Sequence, residues 1–284
     1  MSEASDFKAA ENQVKSRRHH IVPRFYLEGF TGTSGALWQY DKTNPANVRK
    51  VSPISAGVIR DYNRINAANP DAYEELLALT ESFAAPVVRK IQKREPLTAD
   101  ERYALALFVA FLKYRSPGYV ESARESQEQT MNLILQLKQR HDPSFPKEEL
   151  RIKMDRTGVY AAHSPVARDL ADKLRSMKWA FVTTDDSCPF LTSDSPVVVI
   201  NPEKRGVEMW RTTVYMSVDA ELRCPISRNV ALLCGHKLVR DGDYASLSSA
   251  NVRDTNKLCV AQATRFVWAD RKSPAFTQLV RKYA

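Results

Sequence analysis

The chain has 284 residues, 43% of them hydrophobic and 26% charged, with 42 Lys and Arg against 33 Asp and Glu for a formal charge of +9. That is the balance of a globular chain with ample core material, and it excludes a membrane-spanning protein, because the longest apolar run, 104–112, is about half the roughly 18 residues a spanning helix needs. Cys188, Cys224, Cys234 and Cys259 are scattered with no C-x-x-C spacing, which excludes a disulfide framework and a Cys-rich zinc site and leaves reduced core thiols.

Residues 1–16 are polar and without periodicity or an apolar leader segment, so they read as a disordered tail on a cytoplasmic protein. After Pro23, FYLEGF reads as a short helix ending at Gly29. ALWQYDK (36–42) and NVRKVSP (47–53) read as two strands of a hairpin. A helix opens at Asn69-Pro70-Asp71 and runs toward residue 95, with a kink or break expected at Pro86. Thr98 and Glu101 form a capping box for the next helix, which is apolar on nearly every face from Ala104 to Leu112 and therefore buried on all sides. A third helix spans roughly 119–141, with Met131, Leu133, Ile134 and Leu137 as its expected buried stripe, and shorter helices are expected at 147–155 and 166–175.

From Lys178 the pattern turns to strands: 179–184, 190–201, 212–218 and 229–234. A helix at about 246–264, a strand RFVWA and a C-terminal amphipathic helix follow. The fold expected is α+β. A helical block at about 70–175 lies between a small N-terminal β hairpin and a mostly antiparallel sheet in 178–284, and residues 17–284 form one domain. The four tryptophans, Trp38, Trp179, Trp210 and Trp268, read as core or edge aromatics.

The candidate chemistry starts at His19-His20-Ile21-Val22-Pro23. This string resembles the first strand end of HNH-type ββα-metal nucleases, where one residue ligates a cation and the next histidine activates water. A second echo, Asn229-Val-Ala-Leu-Leu-Cys-Gly-His236, has the wrong spacing and lies some two hundred residues downstream. Thr192-Ser193-Asp194-Ser195 interrupts an apolar strand with four polar groups, which are satisfied or functional. The bland form is an Asx turn; the functional form makes Asp194 a metal ligand or general base. Glu81 sits among Leu77, Ala84 and Ala85 on the face expected to be buried, and a buried Glu needs a cation. Arg115, ending the apolar helix, is its natural partner, or else a bidentate clamp on a phosphate or carboxylate. His141 and His163 read as solvated.

Across its length the chain resembles an uncharacterised bacterial family known only as a domain of unknown function. The resemblance rests on His20 to Phe30 as H-x-V-P-x-F-Y-L-x-x-F, on Glu75 to Glu81, on Arg115-Ser116-Pro117, on Phe190 to Val197 with its T-S-D-x-P, on Pro225-Ile226-Ser227, and on Asn251 or Asn256. It implies a shared fold and selects His20 over His19, which is left peripheral. Two functional readings follow. One is a metal-assisted, nuclease-like hydrolase of a phosphodiester, using Mg2+ or Mn2+. Its site would combine His20, Asp194 and Arg115 as catalytic groups with Glu81, Asp194 and His20 as metal ligands. The other is a non-catalytic nucleic-acid- or nucleotide-binding protein using Arg17, Arg18 and Arg24, favoured by the net positive charge.

Overall fold

The computed structural model describes residues 17–142, 144–146, 150–200, 220–238 and 241–284. Within them the chain runs β1 (Arg18–His20), α1 (Arg24–Glu28), β2 (Leu37–Asp41), β3 (Asn44–Val51) and β4 (Val58–Arg60) into four helices, α2 (Ala72–Gln92), α3 (Ala99–Tyr114), α4 (Pro117–His141) and α5 (Thr157–Ser176). Strands β5 (Lys178–Thr183), β6 (Thr192–Ser193), β7 (Val198–Ile200), β8 (Glu221–Ser227), β9 (Val230–Gly235) and β10 (Tyr244–Ser246) follow, then α6 (Ser249–Gln262), β11 (Phe266–Ala269) and α7 (Pro274–Lys282). This is the α+β fold expected. The tail at 1–16, the strand expected at 212–218 and Trp210 lie outside the described residues.

Three sheets organise the strands. β1 pairs antiparallel with β4, setting His20 opposite Val58. A five-stranded sheet has the order β10-β5-β9-β8-β7 and is antiparallel except for the parallel β10–β5 pair. The third has the order β3-β2-β11-β6. The N-terminal hairpin β2–β3 is thus extended by strands from the far end of the chain. Trp268 on β11 donates its indole N–H to Gln39 on β2 at 3.0 Å, so a buried aromatic closes that seam with its one polar atom satisfied.

α3 is the central helix. Thr98 and Glu101 form the reciprocal cap that sequence predicts, and Leu105, Ala106, Phe108, Val109, Ala110, Phe111 and Leu112 are all buried. A helix this apolar has no solvent face to offer and is covered by α2 and α5. The Phe108 ring lies 5.4 Å from that of Phe25 and 6.2 Å from that of Tyr26, which ties the FYLEGF segment to the helical block.

Three expectations are corrected. α2 continues through Pro86 without the break offered as one of the two expectations there: the carbonyl that loses its partner belongs to Ser82, an exposed residue that water can serve, while Ala84, Val87, Val88 and Ile91 stay packed. No helix occurs at 150–155, whereas α5 begins at Thr157, well before residue 166. Met131, Leu133, Ile134 and Leu137 on α4 are exposed, not buried. Polar clamps set the rotation of that helix. The Asn132 side chain donates to Ile152 O and accepts from Ile152 N, both at 2.9 Å, and Glu128 accepts from Met154 N. These turn Asn132 and Leu135 inward and the apolar stripe outward. No helix among the described residues is long and apolar enough to cross a membrane.

Phe108→Ala should cost about 3–5 kcal/mol of unfolding free energy, read as a lowered midpoint in urea denaturation.

Candidate functional site

β1 places two adjacent histidines on opposite faces of a strand. His19 faces inward and is 2% exposed. Its Nδ1 accepts the Asn63 backbone N–H at 2.9 Å, and the Asn63 side chain donates to Glu74 at 2.6 Å. His19 is therefore a structural group holding the 61–65 segment, not a peripheral one. His20 is half-buried, with Nε2 3.2 Å from Ile54 O. The carbonyl can only accept, so Nε2 carries the proton and Nδ1 is the basic nitrogen of the neutral ring. Burial lowers the His20 pKa below the ordinary histidine value; the Ile54 carbonyl, Glu81 and Glu74 oppose this, and Arg115 adds to it. The ring is thus neutral at pH 7.

Arg115 caps the C-terminus of α3 and is 1% exposed. Its Nη1 donates to Glu81 Oε1 on α2 at 2.7 Å, the helix-tying pair expected. Nε and Nη2 are both buried and find no hydrogen-bond partner among the described residues. These two N–H groups lie on the same edge of the guanidinium, the side-on fork that matches two oxygens of a carboxylate or phosphate. Glu74 and Glu81 stand two helical turns apart on α2, and the charges of both reach His20, as does that of Arg115. His20, Glu81 and Arg115 thus come from β1, α2 and the end of α3 into one electrostatic neighbourhood.

Asp194 holds a turn through its carboxylate. Its Oδ1 accepts from Thr264 N at 2.8 Å, and Oδ2 from Arg265 N at 2.7 Å and Phe266 N at 2.9 Å. Burial raises its pKa, and the three backbone N–H groups pull it down. These bonds fix the α6–β11 turn. Its polar neighbours are satisfied too. Thr192 Oγ1 lies 2.9 Å from Tyr26 Oη, Ser193 Oγ accepts from Ser195 N at 3.2 Å, and Ser195 Oγ lies 3.3 Å from Thr264 Oγ1. Thr264 Oγ1 also accepts the Gly118 N–H at 3.0 Å. The R-S-P turn and the T-S-D-S-P turn therefore meet at Thr264.

Among the described residues no three His, Cys, Asp or Glu side chains converge on a metal position, so His20, Glu81 and Asp194 are not assembled as the expected Mg2+ or Mn2+ ligand set. The basic arm is also less open than its sequence suggests. Arg17 is ion-paired with Asp61 and Arg24 with Glu28, while Arg18 is exposed on β1.

One group was misread from sequence. His163 is buried inside α5, with Nδ1 2.6 Å from Tyr73 Oη and the rings of Tyr73, Tyr114, Tyr119 and Tyr160 around it. The signal was its place on the Val159, Tyr160, Ala167, Leu170 face of a helical repeat.

A family model described as "Protein of unknown function (DUF4238)" matches residues 18–273. The chain belongs to this family. No curated protein and no solved structure matches it. The DUF4238 match begins at β1 and stops just short of α7, so it encloses His20, Glu81, Arg115 and Asp194.

Two outcomes follow. Asp194→Ala should lose about 2–5 kcal/mol of stability in chemical denaturation, by orphaning three buried backbone donors; unchanged stability would return Asp194 to the catalytic set. Burial lowers the His163 pKa to about 4. Between that value and an unfolded value near 6.5, only the unfolded chain binds the proton, so stability is full above this window and falls as pH drops through it. The loss should approach about 3 kcal/mol, and His163→Gln should flatten the dependence in pH-stepped urea melts.

Proposed function

We propose that the His20–Glu81–Arg115 centre binds the oxyanion of a phosphodiester, nucleic acid included, and hydrolyses it. The observation that carries this is the buried Arg115 guanidinium, with one nitrogen held by Glu81 and the Nε/Nη2 edge uncommitted. Two non-bridging phosphate oxygens match that edge, and shielding from solvent strengthens the pairing. Neutral His20 then takes a proton from water through Nδ1 as the water oxygen forms its bond to phosphorus. The P–O bond to the leaving group breaks, and the imidazolium returns the proton to the leaving oxygen. Glu81 and Glu74 favour the transient imidazolium, and Glu81 fixes the plane of Arg115. No step is routed through a metal.

The alternative, a non-catalytic nucleic-acid or nucleotide binder, draws on the +9 charge. It is weakened by the ion pairs that already engage Arg17 and Arg24.

Single- and double-stranded DNA and RNA, with bis(p-nitrophenyl) phosphate as a minimal diester, test the proposal in EDTA, Mg2+ and Mn2+. Cleavage should persist in EDTA. His20→Ala should lower kcat by about 10²–10⁴-fold, and Arg115→Lys should cut kcat/KM while folding is retained by circular dichroism. Activity should fall on the acid side, with a midpoint below the ordinary histidine value of about 6.5, because protonating His20 removes the base. Cleavage that survives His20→Ala sinks the assignment, and salt-sensitive binding with no cleavage establishes the second reading.

A further inference from the structure

Buried polar atoms without a partner are rare in native structures and call for an explanation. Among the described residues five side-chain atoms are in that state: Asn63 Oδ1, Arg115 Nε and Nη2, Gln127 Oε1 and His163 Nε2. Four of the five belong to groups whose other end is bonded to α2: Arg115 to Glu81, Asn63 to Glu74 and His163 to Tyr73. Glu74 and Glu81 share a face of that helix, and Tyr73 directly precedes Glu74, so these atoms gather along one short stretch of it. Burial raises the pKa of the Tyr73 phenol; the charge of Arg115 opposes this, and Tyr62 and Glu74 add to it. Arg115 and the residue next to Asn63 therefore act on the same hydroxyl.

The unpartnered atoms differ in kind. His163 stands among tyrosine rings, whose faces can take a ring N–H. Arg115 offers two donors. Asn63 offers an acceptor, and chemistry fixes which atom is free: the Glu74 carboxylate accepts at 2.6 Å, so the amide nitrogen faces it and the oxygen is left over. The residue is 0% exposed, and its backbone N–H is bonded to His19, so the carboxamide is held in place from both sides. A phosphodiester carries only acceptors. It satisfies Arg115 and leaves Asn63 Oδ1 unpaired in a site shielded from water. A ligand that satisfies both needs a donor beside its phosphate. In RNA the ribose carbon next to the one bearing the 3′-phosphate carries a hydroxyl; in DNA it carries hydrogen alone.

We propose that the diester held at Arg115 is that of RNA, with the ribose 2′-hydroxyl donating to Asn63 Oδ1. This rests on the phosphodiester reading of the same centre and adds its substrate class.

Calorimetric titration of the full-length His20→Ala protein, in which turnover is slow, tests it. The ligands are the uracil dinucleotide UpU and analogues with hydrogen or fluorine in place of the 2′-hydroxyl beside the phosphate. UpU should bind about 10–100-fold more tightly than the deoxy form. The fluoro form, which cannot donate, should bind like the deoxy form. In an Asn63→Leu background, with folding checked by circular dichroism, the preference for UpU should vanish. Gln127→Leu, which removes the unpartnered atom that is not bonded to α2, should leave the preference intact. Equal binding of UpU and the deoxy form overturns the inference and leaves the phosphodiester reading standing. Fluoro binding as tight as that of UpU, or a ribose preference that persists in Asn63→Leu, also overturns it. Binding of none of the dinucleotides removes the phosphodiester reading and this inference together.

Discussion

A guanidinium at the C-terminus of the most apolar helix must be compensated, and that requirement shapes the centre of this protein. Placing Arg115 at 1% exposure removes it from water at a cost of several kcal/mol, which one carboxylate repays only when the remaining donors are also satisfied. Among the described residues Glu81 is its side-chain partner, and that pair fixes α2 against α3. The remaining Nε/Nη2 edge has no partner among the described residues. Buried unsatisfied donors of this kind are rare in native structures, and an oxyanion satisfies both at once.

The same accounting separates structural polar groups from those left for chemistry. Asp194, His19 and Thr192 look reactive in sequence, yet each has its lone pairs or protons taken up by backbone or side-chain partners. Their work is to hold turns: Asp194 the α6–β11 junction, His19 the loop before α2, Thr192 the contact with Tyr26. The Asp194 turn reaches the R-S-P turn after Arg115 through Thr264 and Gly118. His20 differs: Nε2 meets the Ile54 carbonyl, and among the described residues its basic Nδ1 has no hydrogen-bond partner.

Much of the fold was legible because its signals are local. The Thr98–Glu101 cap, the apolar run at 104–112 and the strands around Trp179 and Val230 each follow from short-range chemistry. The Glu81–Arg115 pair was legible because a charge on an apolar face has few alternatives. What escaped depends on distant partners. Nothing near Asp194 in sequence announces that its acceptors' donors lie at 264–266. His163 reads as a loop residue until α5 is seen to start at Thr157, and the outward turn of Leu133 is set by Asn132 meeting Ile152. The joining of β2 to β11 is likewise a pairing between chain ends that periodicity cannot register.

The most direct measurement observes Arg115 itself. In ¹⁵N–¹H spectra the Nε–H resonance of a solvent-shielded arginine is visible, and Arg115→Lys identifies it by its disappearance. Titration with dimethyl phosphate should move that resonance saturably, with His20 ring signals following and the Asp194-bound amides of Thr264, Arg265 and Phe266 unmoved. An Arg115 Nε–H resonance that stays fixed at saturating phosphodiester would contradict the account.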